Sequence, residues 1–374
     1  MAIGGRWKSN LLLVCLVLAT VVIVFVRGTG HPPARPAARV PAPPPVRVTM
    51  VGHSLLGVTG SWELFARGPD DLLRIELAQG RIVQTYVPQL ETASPQVSFV
   101  IGAHDAVIRP FDNVPGYVVP DGGQARQLTG LLANGGPLIP GPAGSQAAWA
   151  SSGSPSSPAL SLVTITGHRS GPTIHFQPGG PLLAATAASD GRGDVLAVDG
   201  NFNYYDVGPG WDRQVPGIVV AVGAATWLVD VCDARYRHCR DEVVDASTGV
   251  RRALRHAAAV GPPYTYSWPP TGVISPGGGT AAILAIGRYG ELTAQLIDLR
   301  TGASRDLNLG LGSPGAADSP GGGANDQSMA WSPDGRWLFV AASGGRLVAV
   351  NARSGRAESL GVRLPAVYQV AIRP

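Results

Sequence analysis

Two patterns of apolar residues divide this chain into unlike parts. Near the N-terminus apolarity is continuous: residues 9–26 carry no charge, and 11–26 read LLLVCLVLATVVIVFV. Eighteen helical residues at about 1.5 Å each give roughly 27 Å, enough to cross a bilayer core. The run therefore predicts a transmembrane helix over 11–27, with Cys15 facing lipid. Beyond residue 47 apolar and polar residues alternate in short runs divided by Gly, Pro, Asn and Asp, the pattern of strands and turns.

Within that second part the pattern repeats. Asp245-Ala-Ser-Thr-Gly with Leu254, Asp298-Leu-Arg-Thr-Gly with Leu307, and Asn351-Ala-Arg-Ser-Gly with Leu360 align without gaps, each 53 residues from the next. An aliphatic residue precedes each: Val244, Ile297 and Val350. The chemistry is that of a hairpin turn, in which Asp or Asn bonds its own backbone, Ser or Thr does likewise, and Gly takes the positive φ. These acids are expected to form turns and to have no catalytic role. Residues 62–81 align in the same way with 337–356, through Trp62/Trp337, Leu72/Leu347, Ile75/Val350, Gly80/Gly355 and Arg81/Arg356. Hairpin glycines then fall at 80, 123, about 167–171, about 208, 249, 302 and 355, which makes seven units of about 46 residues. That is the size of a four-stranded propeller blade.

Ala330-Trp-Ser-Pro-Asp-Gly-Arg-Trp-Leu-Phe-Val340 resembles the blade motif of TolB-like and WD-type β-propellers, in which a strand ends at Ser-Pro-Asp-Gly and turns into the next. Val273-Ile-Ser-Pro-Gly-Gly-Gly279 is a looser copy. The resemblance implies an all-β, seven-bladed β-propeller over 47–374, with six or eight blades left open because 90–215 depart most from the pattern. It also implies that the loops from each blade's outer strand to the next blade's inner strand gather on one face around the channel. Residues 368–374 (YQVAIRP) resemble an innermost strand with no blade after it, whereas 60–88 hold a blade's middle and outer strands without its first. The C-terminal strand is expected to complete the first blade and remove the open edge.

Composition and charge add organisation. Gly (50) and Pro (33) are abundant and only 14% of the 374 residues are charged, which suits short strands and many turns. The net charge of +4 is uneven: Arg6, Lys8, Arg27, Arg35, Arg39 and Arg47 meet no acid in residues 1–47, and the remainder carries 23 basic and 25 acidic side chains. A near-neutral body argues against nucleic acid as a partner, which needs positive charge on the folded surface. Residues 31–46, HPPARPAARVPAPPPV, favour polyproline II and act as a semi-rigid spacer. The chain is thus expected to divide into a cytoplasmic tail (1–10), the transmembrane helix (11–27), a Pro-rich extracytoplasmic linker (28–46) and the propeller (47–374).

Arginine flanks both ends of the helix, so the positive-inside rule does not fix its orientation. Cys232 and Cys239 place the body outside. They flank a tight excursion between opposed strands, where Cα atoms about 5.5 Å apart are within disulfide reach, and such a bond needs an oxidising compartment. A metal site here lacks a fourth ligand at regular spacing. A signal peptide would have a shorter apolar run and a small-residue cleavage site, and Arg27-Gly-Thr-Gly30 is a poor one. The expected location is the cell membrane, single-pass, with a secreted body if the segment is cleaved.

Chemical motifs are sparse. No G-x-S-x-G elbow, H-E-x-x-H pair, P-loop or Rossmann fingerprint occurs. His168 and His175, with Gly171-Pro172 between them, suit a hairpin better than a metal face, and Asp190-Gly-Arg-Gly-Asp194 suits an inter-strand turn better than a calcium loop. No catalytic residue, metal or cofactor is expected. The unusual segments are 255–268, with Tyr264, Tyr266 and Trp268; 308–328, with Asp318, Asn325 and Asp326; and the Cys-clamped loop, with Arg235, Tyr236 and His238. Proline-rigidified aromatics make contact surfaces at low entropic cost, although Trp268 equally suits packing between blades. The expected ligand-binding set is Tyr236, Tyr264, Tyr266, Trp268, Asn325 and Asp326. The expected function is a non-catalytic binding or scaffolding module for a protein or cell-envelope ligand; the alternative is a propeller hydrolase or lactonase with a metal in the channel. A purely structural interaction protein also stays open.

Overall fold

The computed structural model describes residues 45–90, 97–110, 115–129, 138–141, 147–154, 157–175, 182–187, 195–199, 201, 203–233, 239–255, 272–286, 292–307, 309, 327–342 and 345–374. The expected transmembrane helix and nearly all of the Pro-rich linker lie outside these residues. Among the described residues no helix is long and apolar enough to cross a membrane. Residues Pro44–Pro374 form one compact unit.

Among the described residues, apart from one short 3-10 turn at Leu55–Gly57, the regular structure is all strand. Consecutive strands run up and down in antiparallel groups. One sheet is β5 (Val97–Ile101), β6 (Asp105–Pro110), β7 (Tyr117–Pro120) and β8 (Arg126–Gln127). The next is β9 (Leu138–Pro140), β10 (Ala147–Ser154), β11 (Ser157–Thr164) and β12 (Arg169–His175), followed by β13 (Leu182–Ala187), β14 (Val195–Asp199), β15 (Tyr204–Gly208) and β16 (Trp211–Val215). Two further groups share one eight-stranded sheet: β17 (Ile218–Val222), β18 (Thr226–Val231), β19 (Arg240–Asp245) and β20 (Arg251–Ala253), then β21 (Gly272–Ile274), β22 (Thr280–Ile286), β23 (Leu292–Asp298) and β24 (Ser304–Leu307). A single parallel pairing, Val222 with Val273, joins them. β25 (Met329–Trp331), β26 (Trp337–Ala342), β27 (Arg346–Asn351) and β28 (Ala357–Glu358) follow.

The remaining sheet mixes the two ends of the unit. Its order is β1 (Val46–Met50), β4 (Arg81–Tyr86), β3 (Asp71–Glu76), β2 (Glu63–Arg67) and β29 (Gln369–Arg373). The C-terminal strand therefore completes the first group, as its sequence implied. Five residue pairs run from Glu63–Arg373 to Arg67–Gln369. Both ends of β29 also reach the second group: the Gln369 side-chain amide donates to the Val97 carbonyl at 2.9 Å, and Arg373 donates to Asp121 at 2.6 Å and to the Gly102 carbonyl at 3.2 Å. β1 was not expected. Residue 46, the last of the expected linker, instead opens a fifth strand on the outer edge of β4.

The apolar core is divided among interfaces. Phe65 and Leu72 meet Phe99 and Ile108, and Val107 meets Ala148 and Val163. Trp149 and Leu160 meet Val195 and Val207. Leu196 and Tyr204 meet Val219 and Trp227, in a cluster that continues to Ile283 and Ile297. Leu296 then meets Met329 and Leu338, and Trp337 and Phe339 return to Trp62 and Leu64. Trp62 stands edge-on to Phe339, ring centroids 5.9 Å apart. Burying one large apolar side chain contributes about 1.5–3 kcal/mol, so each interface is a core in its own right. Four-stranded meanders that pack face to face in a closed series form a propeller-like arrangement.

The turns follow the sequence reading closely. Asp245 Oδ1 accepts from the Ser247 and Thr248 amides at 3.0 and 2.7 Å, and Asp298 Oδ1 from those of Arg300 and Thr301 at 2.9 and 2.8 Å. Asn351 Oδ1 accepts from the Ser354 amide at 3.0 Å. Turns from the third to the fourth strand of each group carry a glycine at positive φ: Gly80, Gly122, Gly167, Gly210, Gly249, Gly302 and Gly355. Two expected positions shift by one or two residues, and the third turn falls at the first glycine of its expected pair. Gly123 follows the turn that Gly122 makes, Gly208 closes β15 before Gly210 turns, and Gly171 lies within β12 while Gly167 turns. The Ser-Pro-x-Gly turns join first to second strands: Ser332 Oγ accepts from the Trp337 amide at 2.9 Å, and Ser275 Oγ from that of Thr280 at 3.1 Å.

One device crosses between groups. Arg213, Arg252 and Arg305 each stand three residues after a turn glycine (Gly210, Gly249, Gly302). Each donates to a carbonyl in the next group's turn: Arg213 to Ala246 at 2.9 Å, Arg252 to Leu299 at 2.7 Å and Arg305 to Ala352 at 3.0 Å. Those carbonyls belong to the residue after each turn-opening Asp or Asn, so the arginine repeats with the turn.

Candidate binding face and the disulfide hairpin

The register of the eight-stranded sheet fixes which connections share an end. β18 leaves the sheet at Val231 opposite Arg240, where β19 enters, and β20 ends at Ala253 opposite Glu242. β21 runs parallel to β17, so Gly272 enters at that same end, and Leu307 leaves there opposite Ala294. The attachment points of 233–238, 254–271 and 308–328 are thus gathered at one end of one sheet. The expected ligand-binding residues Tyr236, Tyr264, Tyr266, Trp268, Asn325 and Asp326 lie outside the described residues, as do Arg235, His238, Asp318 and the 190–194 loop. His168 and His175 stand before and at the end of β12, a strand's length apart.

Cys232 and Cys239 form the expected disulfide, with Cα atoms 3.9 Å apart. Each pair in the β18–β19 ladder steps inward by one residue on both strands, and Val231 opposite Arg240 is the last pair. The next step places Cys232 opposite Cys239, so the bond continues the ladder and clamps the loop at its base. Asp230, opposite Asp241 in the same ladder, is buried. Its burial raises the carboxyl to about 6. One Asp230 oxygen and the two sulfurs lie within 4.8 Å of one another, the only such metal-ligating cluster among the described residues. With the sulfurs bonded to each other, that cluster is closed to a metal. The sequence shows no fourth ligand at regular spacing and does not single out Asp230; the signal for it is the mirrored spacing Asp-x-Cys and Cys-x-Asp.

A second polar cluster sits at the loop end of the first sheet. Arg67, buried, donates to the Gln369 side chain and, at 3.1 Å, to the Gly68 carbonyl, and it stacks 5.5 Å from the Tyr368 ring. Burial lowers its guanidinium to about 10. Asp71 nearby accepts from Gln84 at 2.6 Å, but burial outweighs that bond and raises its carboxyl to about 6. These groups fasten the closing strand.

The first strands of the groups lie against one another: β29 with β5, β5 with β9, β9 with β13, β17 with β21, β21 with β25, and β25 with β29. They therefore form the inner wall. Among these described strands Arg373 is the only ionisable residue.

No family model and no curated protein matches the chain. Among solved structures it is similar to TolB from Acinetobacter baumannii, at 12% identity and a TM-score of 0.45, over 85% of this chain and 68% of that one. It is similar to a chain of a nidogen/laminin complex at 9% identity and a TM-score of 0.44, over 83% and 98%. Hydrazine synthase from Kuenenia stuttgartiensis matches at 12% identity and a TM-score of 0.46, over 70% and 77%. The fold assignment rests on the strands themselves: meanders with shared cores, and the Ser332-Pro-Asp-Gly335 turn from first to second strand, make the described residues all-β and propeller-like in plan.

Proposed function

We propose that the chain is a membrane-anchored, extracytoplasmic, seven-bladed β-propeller that binds a protein or cell-envelope ligand at its loop end and carries no catalytic site of its own. The observation that carries this reading is the gathering of three long connections at one end of one sheet, one of them clamped by the Cys232–Cys239 bond. Two of the three contain the Pro-flanked aromatics Tyr264, Tyr266 and Trp268 and the polar Asn325 and Asp326. The series of turn glycines supports the count of seven.

Binding is tested by passing solubilised envelope extract over the immobilised full-length chain and over its Tyr264→Ala/Tyr266→Ala/Trp268→Ala variant. A partner retained by the first and lost from the second is expected. Equal retention by both would remove these loops from the reading. Anchoring rests on the uncharged run 9–26, and the external body on the disulfide, a bond of oxidising compartments. A reporter fused after Pro374 should sediment with membranes and be active only outside the cytoplasm. Cytoplasmic activity would overturn the topology.

A further inference from the structure

The β18–β19 hairpin carries a symmetry that the binding reading does not use. Asp230-Val-Cys232 leaves one strand and Cys239-Arg-Asp241 enters the other. Residues two apart on a strand share a face, and directly opposed residues do too, so Asp230, Cys232, Cys239 and Asp241 occupy one face of the hairpin. An Asp230 oxygen and both sulfurs are already within 4.8 Å of one another. Asp230 is only 2% exposed, and its Oδ1 has no hydrogen-bond partner. A buried carboxylate oxygen with no donor is costly, and a cation is a partner that would satisfy it.

We propose that Asp230, Cys232 and Cys239 form a redox-gated site for a thiophilic divalent cation of the zinc class, shut while the disulfide stands and opened when a dithiol reductant cleaves it. In the opening step the sulfur–sulfur bond breaks, two electrons and two protons pass from the dithiol to Cys232 and Cys239, and the reductant becomes a disulfide. The cation then binds both sulfurs as thiolates, releasing two protons, and takes the Asp230 carboxylate as its third ligand. Water or Asp241 fills the fourth position. Thiolate and carboxylate both belong to zinc's donor set, and thiolates select against magnesium and calcium. Two thiolates on a tetrahedral zinc stand roughly 3.8 Å apart, so the present spacing needs only side-chain rotation. This site stands independently of the loop-end binding reading.

The test uses the full-length chain in detergent with Cys15→Ser, so that no other thiol contributes. After reduction with a phosphine and its anaerobic removal, Co²⁺ is titrated as a spectroscopic stand-in, with Zn²⁺ in competition. One Co²⁺ per chain is expected, with thiolate-to-cobalt charge-transfer absorption and tetrahedral d–d bands, displaced by Zn²⁺ and absent from the oxidised chain. Asp230→Asn should weaken Co²⁺ at least ten-fold, and Cys232→Ser/Cys239→Ser should abolish the charge-transfer band. A reduced chain without that band, or an affinity unmoved by Asp230→Asn, would overturn the site. Circular dichroism is followed throughout. The six-pair ladder should hold the hairpin after reduction, and loss of strand signal before metal is added would also overturn the proposal.

Discussion

At the scale of single residues, aspartates in this chain divide by environment. Asp245 sits at its turn, and the Ser247 hydroxyl with the Thr248 amide and hydroxyl holds its carboxyl down to about 2. Asp298 is lowered in the same direction by Thr301. Such groups add stability above their unfolded pKa and lose it as pH falls through the folded one. Asp230 and Asp71 behave oppositely, because burial raises both to about 6. From an unfolded value of about 3.9, the fold keeps protons that the unfolded chain has released, so stability declines as pH rises from about 4 to 6. Each group contributes a slope of about 1.4 kcal/mol per pH unit within that window. Asp230→Asn should remove one of the two slopes, read as the melting temperature of the oxidised protein at pH 4, 5 and 6. An unchanged pH profile would show that Asp230 stays ionised in the fold.

At the scale of elements, legibility followed the range of the forces. The Asp245, Asp298 and Asn351 turns were readable because every bond that shapes them lies within a few residues. Glycine position was less so. Gly122 and Gly123 are adjacent, either satisfies a spacing count, and only the backbone shows that Gly122 takes the positive φ. The repeating arginines were present in the sequence three residues after the glycine, but their acceptors are 33 to 47 residues away, so local pattern gave no reason to single them out. β1 was missed for the same reason: a fifth strand forms only where β4 leaves an edge to pair with. At the candidate site the disulfide was legible from two cysteines across a hairpin. The burial of Asp230 beside it was not, since burial is decided by packing and leaves no mark in local spacing.

For the whole molecule, the decisive element is the last one. β29 supplies the inner strand of the first sheet, and Gln369 and Arg373 bind that sheet to the second. Without it the first group loses its inner strand and the closed series of cores loses a member. Deletion of 365–374 should therefore abolish the single cooperative melting transition, and an unchanged transition would show that closure is dispensable. The sequence by itself determined the strand-and-turn period, the Ser-Pro-x-Gly and Asp-x-x-Thr-Gly turns, the cysteine pair and the identity of the closing strand. Each of those depends on local hydrogen bonding or on a repeat that can be counted along the chain. Tertiary structure alone decided which glycine turns, where the fifth strand adds, which arginine clasps which carbonyl, and that the disulfide hairpin places a buried carboxylate beside its sulfurs. Those depend on the meeting of residues distant along the chain, and the packing of neighbouring sheets brings them together.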